Sequence, residues 1–262
     1  MQTEGTEFLP TAVEAARRAG EVLASWSTRF TVKEKSKANL VTEADHESQR
    51  TIFEIVRGKY PEHNFLGEEE QEVVETDSPY CWIVDPLDGT SNYVHSFPYY
   101  AVSIGLTHQG ELIAAVIFDP NREEMFTATR GGGSFLNGER IETSVTDELE
   151  KTMAVASLPI GAKPDDIAIS RFLRVLQKVQ TVQRTGSAAL NLAYVAAGRI
   201  DAFWSSSLKP WDMAAGALIV EEAGGKVSNA AGDRLDLFVA DILSTNGTGI
   251  HEKLSEILIG ET

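Results

Sequence analysis

Residues 82–93, WIVDPLDGTSNY, place two carboxylates at the end of an apolar run that indicates a buried strand. Asp85 ends the run and Asp88 follows three residues later, so a tight turn would bring both side chains to one point. Two ionised carboxylates in contact repel each other, and one of them would normally stay protonated. A divalent cation removes this conflict, and oxygen ligands favour Mg²⁺. The stretch therefore predicts half of a metal site.

The residues beside the two acids fit the same interpretation. Pro86 fixes its own φ and offers no N–H, while the carbonyl of Leu87 is free to face a metal. Gly89 allows a close approach of the backbone, and Thr90 can begin a helix whose first N–H groups receive an anion. Metal ligands and a phosphate-binding segment are therefore predicted side by side.

Simpler explanations remain open for the motif taken alone. A β-turn at Asp88-Gly89, with Asp85 as a cap, needs no metal. An EF-hand loop that begins at Asp85 fits worse, because Leu87 stands where it needs an acid or an amide. Other chemistries lack their motifs: there is no G-x-S-x-G, no P-loop, no H-E-x-x-H, and no zinc-ligand spacing among the histidines.

Charge and cysteine content limit the partners that we expect. Lys plus Arg is 23 and Asp plus Glu is 39, which gives a net charge of -16. This balance repels polyanions, so we expect neither a nucleic-acid nor a membrane partner. Cys81 is the one cysteine, the first residues are acidic and no apolar run reaches bilayer length. We therefore expect a cytoplasmic protein without an intrachain disulfide.

Hydrophobic patterning predicts two parts with different architecture. Helices are expected at 11–26 and from Thr42 to about Tyr60, joined by a basic loop, and a largely antiparallel sheet is expected over 80–130. The second half alternates helices with strands, which favours a sheet covered by helices. The composition changes near residues 141–147. The predicted units are an N-terminal α+β part, 1–142, and a C-terminal α/β part, 143–262.

Four further positions become candidates because of their local context. Glu68 follows a strand-like end, although for this residue taken alone a solvated acidic loop is the favoured explanation. Asp45 is the N3 position of the helix capped by Thr42, where a capping box is sufficient. Asp212 lies in the first turn of a helix, where the helix dipole favours an acid. Residues 186–188 form another helix opening, in which the serine can be a plain N-cap.

Taken together and in this order, the segments resemble the inositol monophosphatase family. LGEEE resembles its G-E-E segment, WIVDPLDGTSNYVHSFPYYAVSIG its long D-P-[IL]-D-G-T signature, and PWDMAAGALIVEEAGG its C-terminal W-D-x-A-A-G signature. The resemblance covers essentially the full chain. It implies an α+β or α/β fold built as a layered αβαβα sandwich. It also implies Mg²⁺-dependent hydrolysis of a phosphomonoester, lithium sensitivity and frequently a homodimer.

The resemblance also assigns roles to matching positions. The implied ligands of two or three Mg²⁺ ions are Glu68, Asp85, the Leu87 carbonyl, Asp88 and Asp212, with Asp85 bridging two of the ions. The residues implied to orient and activate the attacking water are Thr90, Asp45 and Glu68. The residues expected to bind substrate are Asp88, Gly89, Thr90, Gly186, Ser187, Ala188, Ser205 and Asp212.

Two positions depart from the family pattern or leave it undecided. Ser205 stands where inositol-specific members carry an acid, and a hydroxyl lacks the charge-assisted strength of a carboxylate. The family's loop lysine matches Lys35 or Lys37, and the spacing does not decide between them.

The substrate expected first is inositol 1-phosphate (or the 4-phosphate), a small phosphorylated polyol. Related branches cleave fructose 1,6-bisphosphate, 3′-phosphoadenosine phosphate, NADP or histidinol phosphate. A catalytically weak, metal-binding interaction protein is the alternative from another class.

Overall fold

The computed structural model describes residues 4–29, 31–36, 39–69 and 74–260. The α-helices in these residues are α1 (Leu9–Trp26), α2 (Glu43–Lys59), α3 (Thr90–Val94), α4 (Ile167–Leu176), α5 (Ala188–Ala196), α6 (Pro210–Glu222) and α7 (Ile250–Ile259). The strands are β1 (Val32–Ser36), β2 (Asn39–Thr42), β3 (Asn64–Gly67), β4 (Tyr80–Asp88), β5 (Ala101–His108), β6 (Glu111–Asp119), β7 (Glu124–Thr129), β8 (Gly133–Leu136), β9 (Glu139–Ile141), β10 (Met153–Ser157), β11 (Thr181–Gln183), β12 (Ala202–Ser205), β13 (Lys226–Ser228) and β14 (Ile242–Thr245).

The strands form two large sheets and one hairpin. The seven-stranded sheet has the order β3-β4-β5-β6-β7-β8-β9, with β3 parallel to β4 and all other neighbours antiparallel. The five-stranded sheet has the order β11-β10-β12-β14-β13 and mixes parallel with antiparallel pairs. The antiparallel sheet expected over residues 80–130 is therefore confirmed.

Helices separate and cover the two sheets. One face of the seven-stranded sheet packs against α1 and α2, and its other face packs against α5 and α6. These two helices also contact the five-stranded sheet, whose far side carries α4 and α7. The order of layers is helix, sheet, helix, sheet, helix, which confirms the predicted αβαβα sandwich. Because α5 and α6 lie between two sheets, they are apolar and buried almost all round.

The predicted helix cap and the predicted basic loop can be compared with the structure. Thr42 caps α2 in a capping box with Asp45, as predicted. The basic loop predicted between the first two helices is wrong in part, because β1 and β2 pair there as an antiparallel hairpin. Its strands lack the alternation of apolar residues that marks a half-buried strand. The side chain of Lys35 and all of Lys37 lie outside the described residues.

The division into two parts at residues 142 and 143 stays a prediction. The seven-stranded sheet ends at Ile141 and the five-stranded sheet begins at Met153, while α5 and α6 pack on both sheets. Among the described residues, no helix combines the length and the apolar character needed to cross a bilayer.

Candidate active site

A bulge at the end of β4 turns Asp85 and Asp88 toward the same side of the sheet. Asp85 pairs with Ser103 and Asp88 pairs with Ala101, so three steps along β4 match two steps along β5. Side chains alternate between faces along a strand, so a spacing of three would normally place the two acids on opposite faces. The extra residue at the bulge removes this mismatch. Both carboxylates therefore face the α5–α6 layer, and they are 1% and 8% exposed.

Asp88 is held by the beginning of α5. Its Oδ2 accepts hydrogen bonds from the Ser187 hydroxyl at 2.5 Å and from the Ala189 N–H at 2.7 Å. The Ser187 hydroxyl is also the N-cap of α5, accepting the N–H of Leu190 at 3.3 Å. The plain capping role of Ser187 and a contact with the site therefore occur together, and the carboxylate of Asp88 occupies part of the helix N-terminus.

Asp212 completes a cluster of three acids. It is the N3 residue of α6, and its Oδ2 accepts the N–H of Lys209 at 2.7 Å. Each of Asp85, Asp88 and Asp212 offers one oxygen, and these oxygens lie within 4.8 Å of one another. The structure thus brings together two acids of the D-P-L-D motif and one acid from far downstream. Their assignment as metal ligands stays a prediction.

Glu68 lies next to this cluster without being part of the tightest group. Its N–H donates to the Val84 carbonyl at 3.0 Å, which extends the parallel pairing of β3 with β4. Its charge raises the pKa of Asp85 and contributes to the raised pKa values of Asp45 and Asp212. Glu68 is therefore close enough to act electrostatically on the acids of the site.

Asp45 and Thr90 meet beside the β4 bulge. One carboxylate oxygen of Asp45 accepts both the N–H and the hydroxyl of Thr42, at 2.8 and 2.7 Å. The other oxygen lies 3.2 Å from the Thr90 hydroxyl, which is also 3.2 Å from the Leu87 carbonyl. The capping-box explanation of Asp45 and its candidate role at the site are thus both compatible with one geometry.

Glycines bring the remaining site segments together. Gly89 has φ +100°, and a Cβ there would lie 3.1 Å from the Tyr99 carbonyl. Gly186 has φ +92°, and a Cβ there would lie 2.9 Å from the amide of Asn92. That amide donates to the carbonyls of Tyr99 and Thr185 at 2.7 and 2.8 Å. The Asn92 side chain therefore connects the turn at Gly89 with the turn at Gly186. The chemistry of an asparagine alone gave no reason to select this residue from the sequence.

Ser205 lies at the end of β12 and is 1% exposed. Its hydroxyl accepts the N–H of Ser207 at 3.3 Å and lies 3.4 Å from the Ser207 hydroxyl. A substrate hydroxyl would therefore compete with contacts inside this loop. Ala188 is the first residue of α5, directly after the N-cap, and is also buried. The substrate contacts assigned to both residues stay predictions.

The acids of the site have raised pKa values. Burial, followed by repulsion from Glu68, holds the pKa of Asp85 well above its ordinary value. Burial raises the pKa of Asp88 to about 6, against the hydrogen bond from Ser187, which lowers it. Desolvation and then the charge of Asp88 raise the pKa of Asp212 to about 8. Burial also raises the pKa of Asp45 to about 6. Burial and mutual repulsion thus disfavour the ionised forms of these acids, and a bound cation would relieve this electrostatic conflict.

Residues 4–261 match the sequence profile of the Inositol monophosphatase family. The chain belongs to the inositol monophosphatase family. Among the relatives of this chain, the Inositol-1-monophosphatase of Synechocystis sp. is 41% identical over 254 residues, which are 96% of this chain and 88% of that relative. The Nus factor SuhB of Escherichia coli (strain K12) is 40% identical over 243 residues, which are 91% of each protein.

A solved structure confirms the fold of this family member. The extragenic suppressor protein suhB from Bartonella henselae superposes with a TM-score of 0.91 at 38% identity, and the match covers 97% of this chain and 98% of that chain. Family membership supports a phosphatase that acts on small phosphorylated substrates. The relatives carry two kinds of name, one for an enzyme and one for a factor, so the names alone do not choose the substrate.

Proposed function

We propose that this family member is a Mg²⁺-dependent phosphomonoesterase, with myo-inositol 1-phosphate or 4-phosphate as the first candidate substrate. The observation that carries the proposal is the convergence of Asp85, Asp88 and Asp212 within 4.8 Å. These acids come from two segments more than a hundred residues apart. Asp85 and Asp88 are buried and Asp212 is half-buried, and like charges brought together in this way need a compensating charge.

The donor set fits hard divalent cations. Three carboxylates offer oxygen ligands, as Mg²⁺ prefers, and the described part of the cluster contains neither histidine nor cysteine. We propose that Glu68, Asp85 and the Leu87 carbonyl hold one ion and that Asp85, Asp88 and Asp212 hold a second. When bound, the ions supply positive charge that acidifies water and stabilises the leaving alkoxide. Two or three ions per site are proposed.

The chain's own groups orient the water that attacks phosphorus. Thr90 can donate its hydroxyl proton to the free oxygen of Asp45, since the two atoms are 3.2 Å apart. The hydroxyl oxygen then keeps a lone pair that can accept a hydrogen bond from water. Thr42 prevents the Asp45 carboxylate from rotating, because it fixes the other carboxylate oxygen twice. We propose that Thr90, Asp45 and Glu68 position this water, and that its proton passes to the Asp45 carboxylate by way of the Thr90 hydroxyl, which gives up its own proton as it accepts the other.

The phosphate and alcohol parts of the substrate are assigned from the family pattern. We propose that the backbone of Gly89 and Thr90 and the turn at Gly186–Ala188 hold the phosphate. The alcohol would lie toward Ser205 and Asp212. Because Ser205 offers no carboxylate, we propose a broader range of small polyol and sugar phosphates than a strictly inositol-specific site accepts.

Further proposals concern the setting of the enzyme. A homodimer, lithium sensitivity and a cytoplasmic location are proposed from the family pattern. The relative named Nus factor SuhB carries the name of a factor and not of an enzyme, which supports a second candidate function for this chain, that of a catalytically weak, metal-binding interaction protein. The two candidates differ in turnover, because only the first requires phosphate release.

Phosphate release from a panel of monoesters tests the proposal. Wild-type protein is expected to release phosphate from inositol 1-phosphate with Mg²⁺ and to lose activity with EDTA. Asp88→Asn removes one negative charge while keeping an oxygen acceptor, and we expect kcat/KM to fall by about 10³-fold.

The control is Asp77→Asn, an exposed acid before the start of β4, at the far end from the bulge. It makes the same chemical change and should leave activity within about two-fold of wild type. A wild type that releases no phosphate from any monoester in the panel with Mg²⁺ contradicts the proposal and favours the metal-binding interaction protein.

A further inference from the structure

The buried face of α2 carries polar residues where a helix normally carries apolar ones. Asp45, Ser48, Gln49 and Ile52 follow the spacing of one helical face, and each is at most 1% exposed. Buried polar groups are costly unless they are hydrogen-bonded, so each of these three polar side chains requires a partner. Asp45 has partners in Thr42 and Thr90, as described above. The partners of the other two residues lie on the segments that carry the proposed metal ligands.

The side-chain amide of Gln49 forms two hydrogen bonds with the backbone of Glu69. Its Nε2 donates to the Glu69 carbonyl at 2.6 Å, and its Oε1 accepts the Glu69 N–H at 2.9 Å. Both residues are buried, at 0% and 2% exposure. A side-chain amide that satisfies both the donor and the acceptor of one residue fixes the orientation of that residue's backbone, in the same way as a strand partner would.

These two hydrogen bonds help to fix the position of Glu68. On one side of Glu68, its own N–H is held by the Val84 carbonyl at 3.0 Å. On the other side, the next residue is held by Gln49. Gly67 permits the close approach, since a Cβ there would lie 2.2 Å from the Oε1 of Gln49. The backbone is therefore anchored before and after the acid.

Ser48 makes the equivalent contact with the second segment. Its hydroxyl donates to the Pro86 carbonyl at 2.9 Å, and it is 0% exposed. Pro86 lies in the β4 bulge, between Asp85 and Leu87, which are both proposed metal ligands. One turn of α2 therefore contacts both of the segments that carry ligands from the seven-stranded sheet.

We propose that Ser48 and Gln49 are positioning residues for the metal site. They hold the Glu68 segment and the Asp85–Leu87 bulge at a fixed separation by tying both to one helix. That helix packs along α1 and on β4, so it provides a rigid support. The inference rests on the proposed metal-dependent function, and it adds two residues that touch neither metal nor substrate.

The proposal predicts weaker metal binding when either contact is removed. Residues that orient metal ligands typically change metal affinity by about 10- to 100-fold when they are mutated. Gln49→Leu keeps the approximate side-chain size but removes both hydrogen bonds, and we expect the Kd for Mg²⁺ to rise by about 10- to 100-fold. Ser48→Ala removes one hydroxyl, and we expect a rise of about 10-fold.

The measurement is calorimetric titration of the full chain with Mg²⁺ alone, with thermal unfolding recorded for each variant. Hydrogen exchange of the Glu69 amide gives a second readout that needs no metal. This amide should exchange faster in Gln49→Leu than in wild type, because its acceptor is gone. At saturating Mg²⁺ the kcat of both variants should approach that of wild type, whereas a loss of folded protein would lower kcat at every concentration.

Two controls separate positioning from general destabilisation. Val56→Ala opens a cavity under the same helix, about two turns beyond Ser48 and Gln49, and removes no hydrogen bond. Ser134→Ala removes another fully buried hydroxyl that donates to a carbonyl, that of Ile219, away from the acid cluster. Both controls should lower thermal stability and keep the Kd for Mg²⁺ within about two-fold of wild type.

The outcomes distinguish this inference from the proposed function. If Ser48→Ala and Gln49→Leu bind Mg²⁺ as wild type does, or shift no more than the controls, the positioning role is wrong. If Gln49→Leu does not fold, the positioning role is decided by comparing the Kd for Mg²⁺ of Ser48→Ala with that of Ser134→Ala. A wild type that binds Mg²⁺ but releases no phosphate overturns the phosphatase proposal only. A wild type that binds no Mg²⁺ overturns both.

Discussion

Asp88 is the residue at which the constraints on this site meet. The bulge in β4 sets its direction, and Ser187 and Ala189 fix one of its oxygens. The carboxylate is buried beside two other acids, so its hydrogen bonds favour the charged form while its surroundings oppose it. The balance between these effects makes its protonation, and that of Asp212, sensitive to a bound cation.

Metal affinity should therefore depend on pH. In the metal-free protein the pKa of Asp88 is about 6 and that of Asp212 is about 8, both above the ordinary value of 3.8. A metal ligand must be deprotonated, so protons compete with Mg²⁺ at low pH. We expect the Kd for Mg²⁺ to fall by about 10- to 100-fold between pH 6 and pH 8. Calorimetry at both pH values, in buffers of different ionisation enthalpy, measures the affinity and the protons released.

The raised pKa values of Asp88 and Asp212 also determine whether the free energy of unfolding rises or falls with pH. Between the ordinary and the raised pKa values, the metal-free folded state binds more protons than the unfolded state. These acids therefore contribute stability at low pH, which is lost as the pH rises toward about 8. Saturating Mg²⁺ should remove this loss. A Kd for Mg²⁺ that is equal at pH 6 and pH 8, with no proton release, would show that the acids are already ionised without metal.

At the scale of elements, α6 shows how closely the central helical layer is packed. It carries Asp212 in its first turn and lies between the two sheets. Gly216, in the middle of the helix, faces α5, and a Cβ there would lie 2.4 Å from Leu192. The small residues of α6 therefore allow α5 and α6 to fill the layer between the sheets together.

Two glycine substitutions test this packing against helix propensity. Gly216→Ala should lower the free energy of unfolding by about 1–3 kcal/mol, because the methyl group overlaps a core side chain. Gly58→Ala, near the end of α2, should raise it by up to about 1 kcal/mol, because nothing lies within 4 Å of the new Cβ. Urea unfolding of both variants gives the comparison. Equal effects in the two variants would mean that α5 does not restrict Gly216.

The elements also show which features can be predicted from sequence. The Thr42 cap depends on residues that are close in sequence, and it occurs as predicted. The β1–β2 hairpin and the β4 bulge depend on pairing with other segments, which leaves little trace in local patterns. Asp85 and Asp88 could be selected because paired acids at a strand end have recognisable chemistry, whereas Asp212 was selected through the resemblance to the family. Gln49 could not be selected, because its role exists only through a backbone distant in sequence.

The sequence nevertheless contains a weak signal for Ser48 and Gln49, which were not selected from the sequence. Ser48 and Gln49 lie three and four residues after Asp45, so a helix places all three on the face that Ile52 marks as buried. Polar residues on a buried helical face need partners, and this pattern indicates structured polar contacts. It does not indicate which segment supplies them. Identification of Glu69 and Pro86 required the structure.

For the whole molecule, the proposed site joins segments that the layers keep apart. Asp45 comes from the outer helical layer, Glu68, Asp85 and Asp88 from the seven-stranded sheet, and Asp212 from the central helical layer. A cation held by these groups would bind the folded chain and not the unfolded one, so it would stabilise the fold by mass action. The large negative charge of the chain favours attraction of cations to the site.

Anomalous diffraction from crystals grown with Mn²⁺ tests the central claim most directly, since Mn²⁺ accepts the same oxygen ligands as Mg²⁺. The account predicts an anomalous peak between the carboxylates of Asp85, Asp88 and Asp212, and its absence in Asp88→Asn crystals. An empty acid cluster at a Mn²⁺ concentration that saturates phosphate release, with the peak elsewhere, would contradict it.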